Sequence, residues 1–343
     1  MTLRLPDNWT PPRAETPDEL IDRLARETVA LDARRADGDG DFLTRSLVDW
    51  ATARDLAAGA EFLVEPLIAT GRAHVLYAGV KSGKSLLSLW LCAQVALGRA
   101  ALDRPAGDPL RVLYLDAENS LDDILERLDG FGVDPADLAR TGTFAYALLP
   151  QLTRGIDSHV DAEVIVRHAL DHHADLVVVD TTSAFVAGDE NSADTWAEVG
   201  RLLTRPLKAA GIATWRVDHA GRDVAKGPRG SSAKVADADV VWSLDPGESG
   251  GFRLYRRHAR MPWVPERVDL HRVEAAGVTT WRRVGFEWPA GTKDTAALLD
   301  ELGVALDASA RSASDALREA GEGRRRTVVL AALKYRREVR DEG

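Results

Sequence analysis

A chain of 343 residues, 45% of them hydrophobic, is long enough for one large domain with appendages or for two domains with a sizeable core. It contains no uninterrupted apolar run of about 18 residues, and its opening "MTLRLPDNWTPPR" lacks the apolar middle of a signal peptide, so no membrane partner and a cytoplasmic location are expected. The formal net charge of -10 argues against a chain coated in nucleic acid, and a single cysteine, Cys92, excludes an internal disulfide and reads as a small buried hydrophobe.

In chain order, residues 1–60 read as an N-terminal arm: Pro6, Pro11, Pro12 and Pro17, a helical candidate "PDELIDRLARETVALDARR", and a predicted loop "ADGDGD". Residues 61–288 alternate β-rich runs with helical stretches. The strands are "AHVLYA", "LRVLYLD", "TFAYAL", "DLVVVD", "IATWRVDH" and "ADVVWSL"; the helices are Lys84 to Leu97, Ser120 to Phe131, around Asp161 to His172, and Ala193 to Ala210. Nearly continuous apolar strands separated by helices predict an α/β fold with a mostly parallel sheet covered on both faces. After Leu244, "GFRLYRRHAR", "ERVDLHRVE" and "GVTTWRRVGFEW" predict antiparallel strands extending one edge. Residues 289–343 read as a mostly helical, basic C-terminal region: helix, turn, helix, then "EGRRR" and an amphipathic helix. Its apolar positions are Val328, Val329, Ala332 and Leu333, with Lys334, Arg336, Arg337 and Arg340 toward the polar side. Such a helix suits a helix-turn-helix on DNA, a solvated face, or an acidic neighbouring subunit.

The segment Ala78, Gly79, Val80, Lys81, Ser82, Gly83, Lys84, Ser85 has Walker A spacing, with alanine at the first position, and Leu86 follows it into the helix. It lies between an apolar strand and a helix, the context this motif requires. Backbone N–H groups of residues 80–85 can wrap a β-phosphate, Lys84 can reach the β- and γ-phosphates, and Ser85 can ligate Mg²⁺, so ATP and Mg²⁺ are the expected cofactors. Asp180, ending "DLVVVD", supplies either a second anchor for the cation or an N-cap for the next segment. In "VLYLDAENSLDDI", Glu118 lies just past a strand end, where a general base for water can stand; Asp116 is the competing carboxylate, and Asp116 or Asn119 can instead cap the next helix.

These segments carry a family resemblance. "LDAENSLDD" is similar to the "IDAEHALD" segment of RecA recombinases, and "LVVVDTTSAF" resembles their Walker B strand. The ordered set "AGVKSGKS", "LDAEN", "VVVDTTSAF", "GDENSAD", "WRVDHAGRD" and "PRGSSAKVADADVVWSL" resembles the RepA-like branch of RecA-fold ATPases, hexameric replicative helicases of plasmids and phages, over roughly residues 60 to 285. The resemblance implies a RecA-like core that assembles as a homo-oligomer, a hexamer in that family, with ATP sites between subunits. It also implies single-stranded DNA as a partner, with a replication initiator or primase as a further one. His219 would sense the γ-phosphate. Asp218 stands where the family tends to carry the first of two histidines, an acid that could repel phosphate or act on His219.

The loop "GRDVAKGPRGSSAK" would face DNA through Arg222, Lys226, Arg229 and Lys234, or else be a solvated loop packed against the P-loop; it lacks aromatics for base stacking. Arg257 and Arg260 in "YRRHARM" best match the residues that reach a neighbour's γ-phosphate in that family, and they can equally form surface ion pairs. The expectation is an ATP- and Mg²⁺-dependent, DNA-stimulated motor; the alternative is an ATPase switch that binds DNA or a protein without unwinding. A small-molecule phosphotransferase shares the P-loop but fits Glu118 and the His219 to Arg229 segment poorly.

Overall fold

The computed structural model describes residues 47–48, 50, 61–221, 232–247, 250–284 and 291–341. The chain divides into two units, Met1–Gly59 and Ala60–Gly343. The helical candidate and acidic loop expected before residue 60 lie outside the described residues; in that unit only Leu47, Val48 and Trp50 are described, and all three are exposed.

The second unit begins with a two-stranded hairpin, β1 (Phe62–Val64) and β2 (Ile68–Ala69). The first half of the core follows as β3 (Ala73–Ala78), α1 (Lys84–Ala96), β4 (Val112–Asp116), α2 (Leu121–Gly130), α3 (Pro135–Thr141), β5 (Phe144–Leu148), α4 (His159–Asp171) and β6 (Leu176–Asp180). A 3₁₀ turn at Thr182–Ala184 precedes α5 (Ala193–Val199), a π turn at Gly200–Thr204 and α6 (Arg205–Ala209). Next come β7 (Ala213–His219), a 3₁₀ turn at Ser232–Val235, β8 (Val240–Pro246), β9 (Gly251–Ala259), β10 (Arg267–Ala275) and β11 (Val278–Val284). The chain closes with α7 (Thr292–Glu301), α8 (Ala310–Glu319) and α9 (Arg326–Asp341). The single helix expected from Ala193 to Ala210 is thus broken by a π turn that opens at Gly200, where the backbone lies close to Asp237.

The strands form one nine-stranded sheet in the order β11-β10-β9-β8-β3-β7-β6-β4-β5. From β8 to β5 neighbours run parallel, and β9 to β11 are antiparallel. This is the expected α/β class. Every residue of β3, β4 and β6 is buried, because helices cover both faces. On β9 to β11 one face carries Phe252, Leu254, Val268, Leu270 and Trp281 into the core, while the other is largely exposed or half-buried, as in a one-sided sheet.

Helix α1 is apolar on nearly every side, and Leu87 to Ala96 are all buried. It lies on one sheet face, with Trp90 packed on Trp281 of β11 at 5.2 Å between ring centroids. Cys92 is buried here, and burial pushes its thiol up, as expected of an inert core residue. The opposite face holds a second core beneath α4, α5 and α6.

Helices α7 to α9 share a small core of Leu299, Leu317, Val329 and Leu333. Here the polar-side expectation is corrected for Lys334 and Arg336; the side chains of Arg337 and Arg340 lie outside those described. Arg336 is only 5% exposed and pairs with Asp300 at 2.7 Å, while Lys334 reaches Glu65 at 3.5 Å and Asp103 at 3.8 Å. Both charges are thus engaged in ion pairs within the unit. Among the described residues no helix is long and apolar enough to cross a membrane.

Candidate nucleotide site

β3 lies between β7 and β8, so the loop after it opens at the carboxyl edge of the parallel sheet, where ligands bind in open α/β sheets. Gly83 caps α1 with φ 86°, a left-handed conformation that costs glycine little. A Cβ on it would stand 2.8 Å from Phe252 Cε1, so the close approach of β9 also requires glycine. No side chain caps α1, which leaves its first N–H groups to an anion. Leu86 lines an adjacent cleft of about 270 Å³ with Asp123, Glu126, Arg127, Phe131 and Arg272.

Ser85 Oγ donates to Asp180 Oδ1 at 2.9 Å, and Tyr114 Oη donates to Oδ2 at 2.6 Å. Burial, with a contribution from nearby Asp116, pushes the Asp180 carboxyl up to about 6, although both hydrogen bonds and Lys84 oppose the rise. Asp180 caps no helix through its side chain. Among the described residues no group of three or more His, Cys, Asp or Glu could hold a metal. One hydroxyl beside one carboxylate at a phosphate cradle fits Mg²⁺, which keeps several waters and takes phosphate oxygens besides one or two carboxylates.

Asp116 is spent on shaping the turn after β4. Its Oδ1 accepts from the N–H groups of Glu118 and Asn119 at 2.8 and 3.1 Å, and its Oδ2 accepts from Asn119 Nδ2 and Tyr146 Oη. The cap of α2 is Ser120, in a reciprocal box with Asp123, rather than Asp116 or Asn119. Glu118, with its side chain 47% exposed, is thereby held at the sheet edge. Thr181 Oγ1 donates to Glu118 Oε1 at 2.8 Å, and the peptide between Asp180 and Thr181 is cis.

Lys84 is buried, and burial holds its ammonium below the usual range against the opposing charges of Asp180, Glu118 and Asp218. Its Nζ lies 3.2 Å from His219 Nδ1. An ammonium only donates, so Nδ1 is the acceptor in this contact, and Nε2 faces Glu118 Oε1 at 3.5 Å. Lys84, His219, Glu118 and Thr181 therefore form a continuous polar chain.

Two expectations around β7 are corrected. Successive strand residues point to opposite faces, so Trp215, Val217 and His219 face α1 while Arg216 and Asp218 face away. Asp218 is consequently not turned toward a phosphate. It is buried, accepts from Ser183 Oγ at 3.2 Å and from the His219 N–H at 2.8 Å, and pairs with Lys234 at 2.9 Å. Lys234, expected to touch DNA, is 2% exposed and stacks over Trp196 at 4.5 Å, so its charge is already compensated inside the fold. Arg216 pairs likewise with Asp237 at 2.6 Å. Arg222, Lys226 and Arg229 lie outside the described residues.

Arg257 and Arg260 on and just past β9 are exposed. Arg257 Nε donates to Ser243 Oγ at 2.7 Å, and Arg260 Nε lies 3.8 Å from Asp239. Tyr114, Tyr146 and Thr181 join the site without having been expected in it. Their signal is a hydroxyl within the apolar run of each of two strands, and another directly after the strand-ending Asp180.

A family model described as an AAA domain matches residues 43–225. No curated protein is significantly similar to the chain. Among solved structures, a KaiC-like protein from the hyperthermophilic archaeon Pyrococcus horikoshii OT3 superposes with a TM-score of 0.50 and 13% identity, covering 65% of this chain and 99% of that one. At that identity the likeness shows the fold alone, and that fold is RecA-like. With more than half of its residues matched and a P-loop set at the edge of this sheet, the chain belongs to the AAA domain family of P-loop ATPases.

Proposed function

We propose that this protein is a Mg²⁺-dependent ATP hydrolase of the RepA-like helicase type, acting on single-stranded DNA. The observation that carries the hydrolase reading is the convergence on one sheet edge of Lys84, the Ser85–Asp180 pair and Glu118. In this reading the β-phosphate takes the uncapped N–H groups of α1, and the base occupies the cleft beside Leu86. The γ-phosphate draws Lys84 away from His219. Glu118 accepts the proton of the water that attacks the γ-phosphorus, and the bond to the bridging oxygen of ADP breaks. Mg²⁺ held by Ser85 and Asp180 would supply neutralising charge on the phosphates.

The DNA part rests on the motif order and on the basic residues Arg222, Lys226 and Arg229 after β7, whose last residue contacts Lys84. A homo-oligomer, hexameric in this reading, would bring exposed Arg257 and Arg260 to a neighbour's phosphate. The test is ATP hydrolysis with and without single-stranded DNA, using Lys84→Ala as the blank and native mass on the same sample. Stimulation by DNA in a ring supports the motor and leads to an unwinding assay. DNA-independent turnover leaves an ATPase switch, and no Lys84-dependent turnover overturns the hydrolase.

A further inference from the structure

Two tyrosines stand behind the carboxylates of the site. Tyr114 on β4 and Tyr146 on β5 are partners in the parallel register, and their rings stack with centroids 5.0 Å apart and planes inclined by 14°. Asp116 and Asp180, which end β4 and β6, are partners in the same way. Tyr114 Oη reaches across to Asp180 Oδ2 at 2.6 Å, and Tyr146 Oη reaches Asp116 Oδ2.

A phenylalanine at position 114 would fill the same space in this buried strand, so the hydroxyl needs a reason. Burying it costs free energy unless it is bonded, and bonding it to a carboxylate gives a short charge-assisted contact. The torsion that turns a carboxylate is soft and roughly two-fold. With Oδ2 held from behind by Tyr114, Asp180 keeps Oδ1 toward Ser85 Oγ, 2.9 Å away. Asp116 receives four donors and has little left to offer a cation, so the tyrosine pair separates the roles of two adjacent carboxylates.

We propose that Tyr114 is a positioning residue that fixes Asp180 with one carboxylate oxygen toward Ser85 and the divalent cation, and that stacking on Tyr146 holds Tyr114 in place. This rests on the reading of Ser85 and Asp180 as the cation's protein partners. Partners behind a metal ligand typically govern affinity by about 10- to 100-fold.

The experiment measures Mn²⁺ binding by electron paramagnetic resonance in the presence of ADP, on the full chain and on Tyr114→Phe. ADP binding in EDTA and thermal melting are measured alongside. The expected result is Mn²⁺ affinity weakened about tenfold or more, with metal-free ADP binding within about twofold of wild type, a split that a general loss of structure would not produce. Unchanged Mn²⁺ affinity in folded Tyr114→Phe overturns the role. Ser85→Ala and Asp180→Asn are the controls: if neither weakens Mn²⁺, the cation reading falls and Tyr114's role with it. Should Tyr114→Phe fail to fold, a crystal structure of the wild type with Mg²⁺ and ADP decides. The Tyr114 to Asp180 hydrogen bond retained there supports the role, and a released Tyr114 hydroxyl overturns it.

Discussion

Asp180 sits in a place that its own charge disfavours, and this gives a signed prediction. Burial raises its carboxyl from 3.8 to about 6, so the native state holds this proton more tightly than the unfolded chain does. Stability is therefore lost as pH rises through the window from about 4 to about 6, and the full cost above it is about 3 kcal/mol at 1.36 kcal/mol per pH unit. Asp180→Asn removes the ionisation and keeps the shape, and its carbonyl oxygen can still accept from Tyr114. The variant should exceed wild type by less than about 1 kcal/mol at pH 4 and by about 3 kcal/mol above pH 7. His74 is buried and lowered to about 4, so it changes stability with the opposite sign over an overlapping window. It is common to both proteins and drops out of the difference. Urea unfolding in EDTA without nucleotide, from pH 5 to pH 8, should show the gap between variant and wild type widening by roughly 1–2 kcal/mol. A gap that stays flat, or that narrows as pH rises, would refute the reasoning. Added Mg²⁺ and ADP should reverse the order, since only wild type gains the cation-linked stabilisation.

Thr181→Val removes the hydroxyl that holds Glu118 and should lower kcat about 10- to 100-fold with KM for ATP within about twofold, while Thr181→Ser restores turnover. Steady-state kinetics check this, and equal kcat in all three proteins counts against it. Lys234→Met leaves Asp218 buried without its partner and should cost about 3–5 kcal/mol in denaturant unfolding. Adding Asp218→Asn should recover more than half of that loss, and simple additivity of the two changes would contradict the pairing. Gly83→Ala forces a left-handed backbone and a 2.8 Å contact on Phe252, so about 1–3 kcal/mol and nucleotide binding should both be lost. Phe252→Ala in the same chain should relieve only the contact, leaving φ strained.

The sequence by itself determined the elements and the cradle, because those depend on neighbours along the chain. Apolar runs specify β3, β4 and β6, and the spacing from Ala78 to Ser85 places a phosphate loop between a strand and a helix. Asp180 was legible as a strand-ending carboxylate and Glu118 as one just past a strand end. What only the tertiary structure decided was which groups meet. Inserting β7 and β6 between β3 and β4 brings His219 to Lys84 and Asp180 to Ser85, contacts spanning 135 and 95 residues. The alternation in "WRVDH" was visible, but not that the segment after Ser232 would cover the far face and bury Lys234 against Asp218. Nor could periodicity separate a tyrosine that packs from one whose hydroxyl holds a carboxylate on the next strand. Local pattern fixes which face a side chain takes; the partner waiting on that face is set by strand order and register, which come from packing the whole sheet.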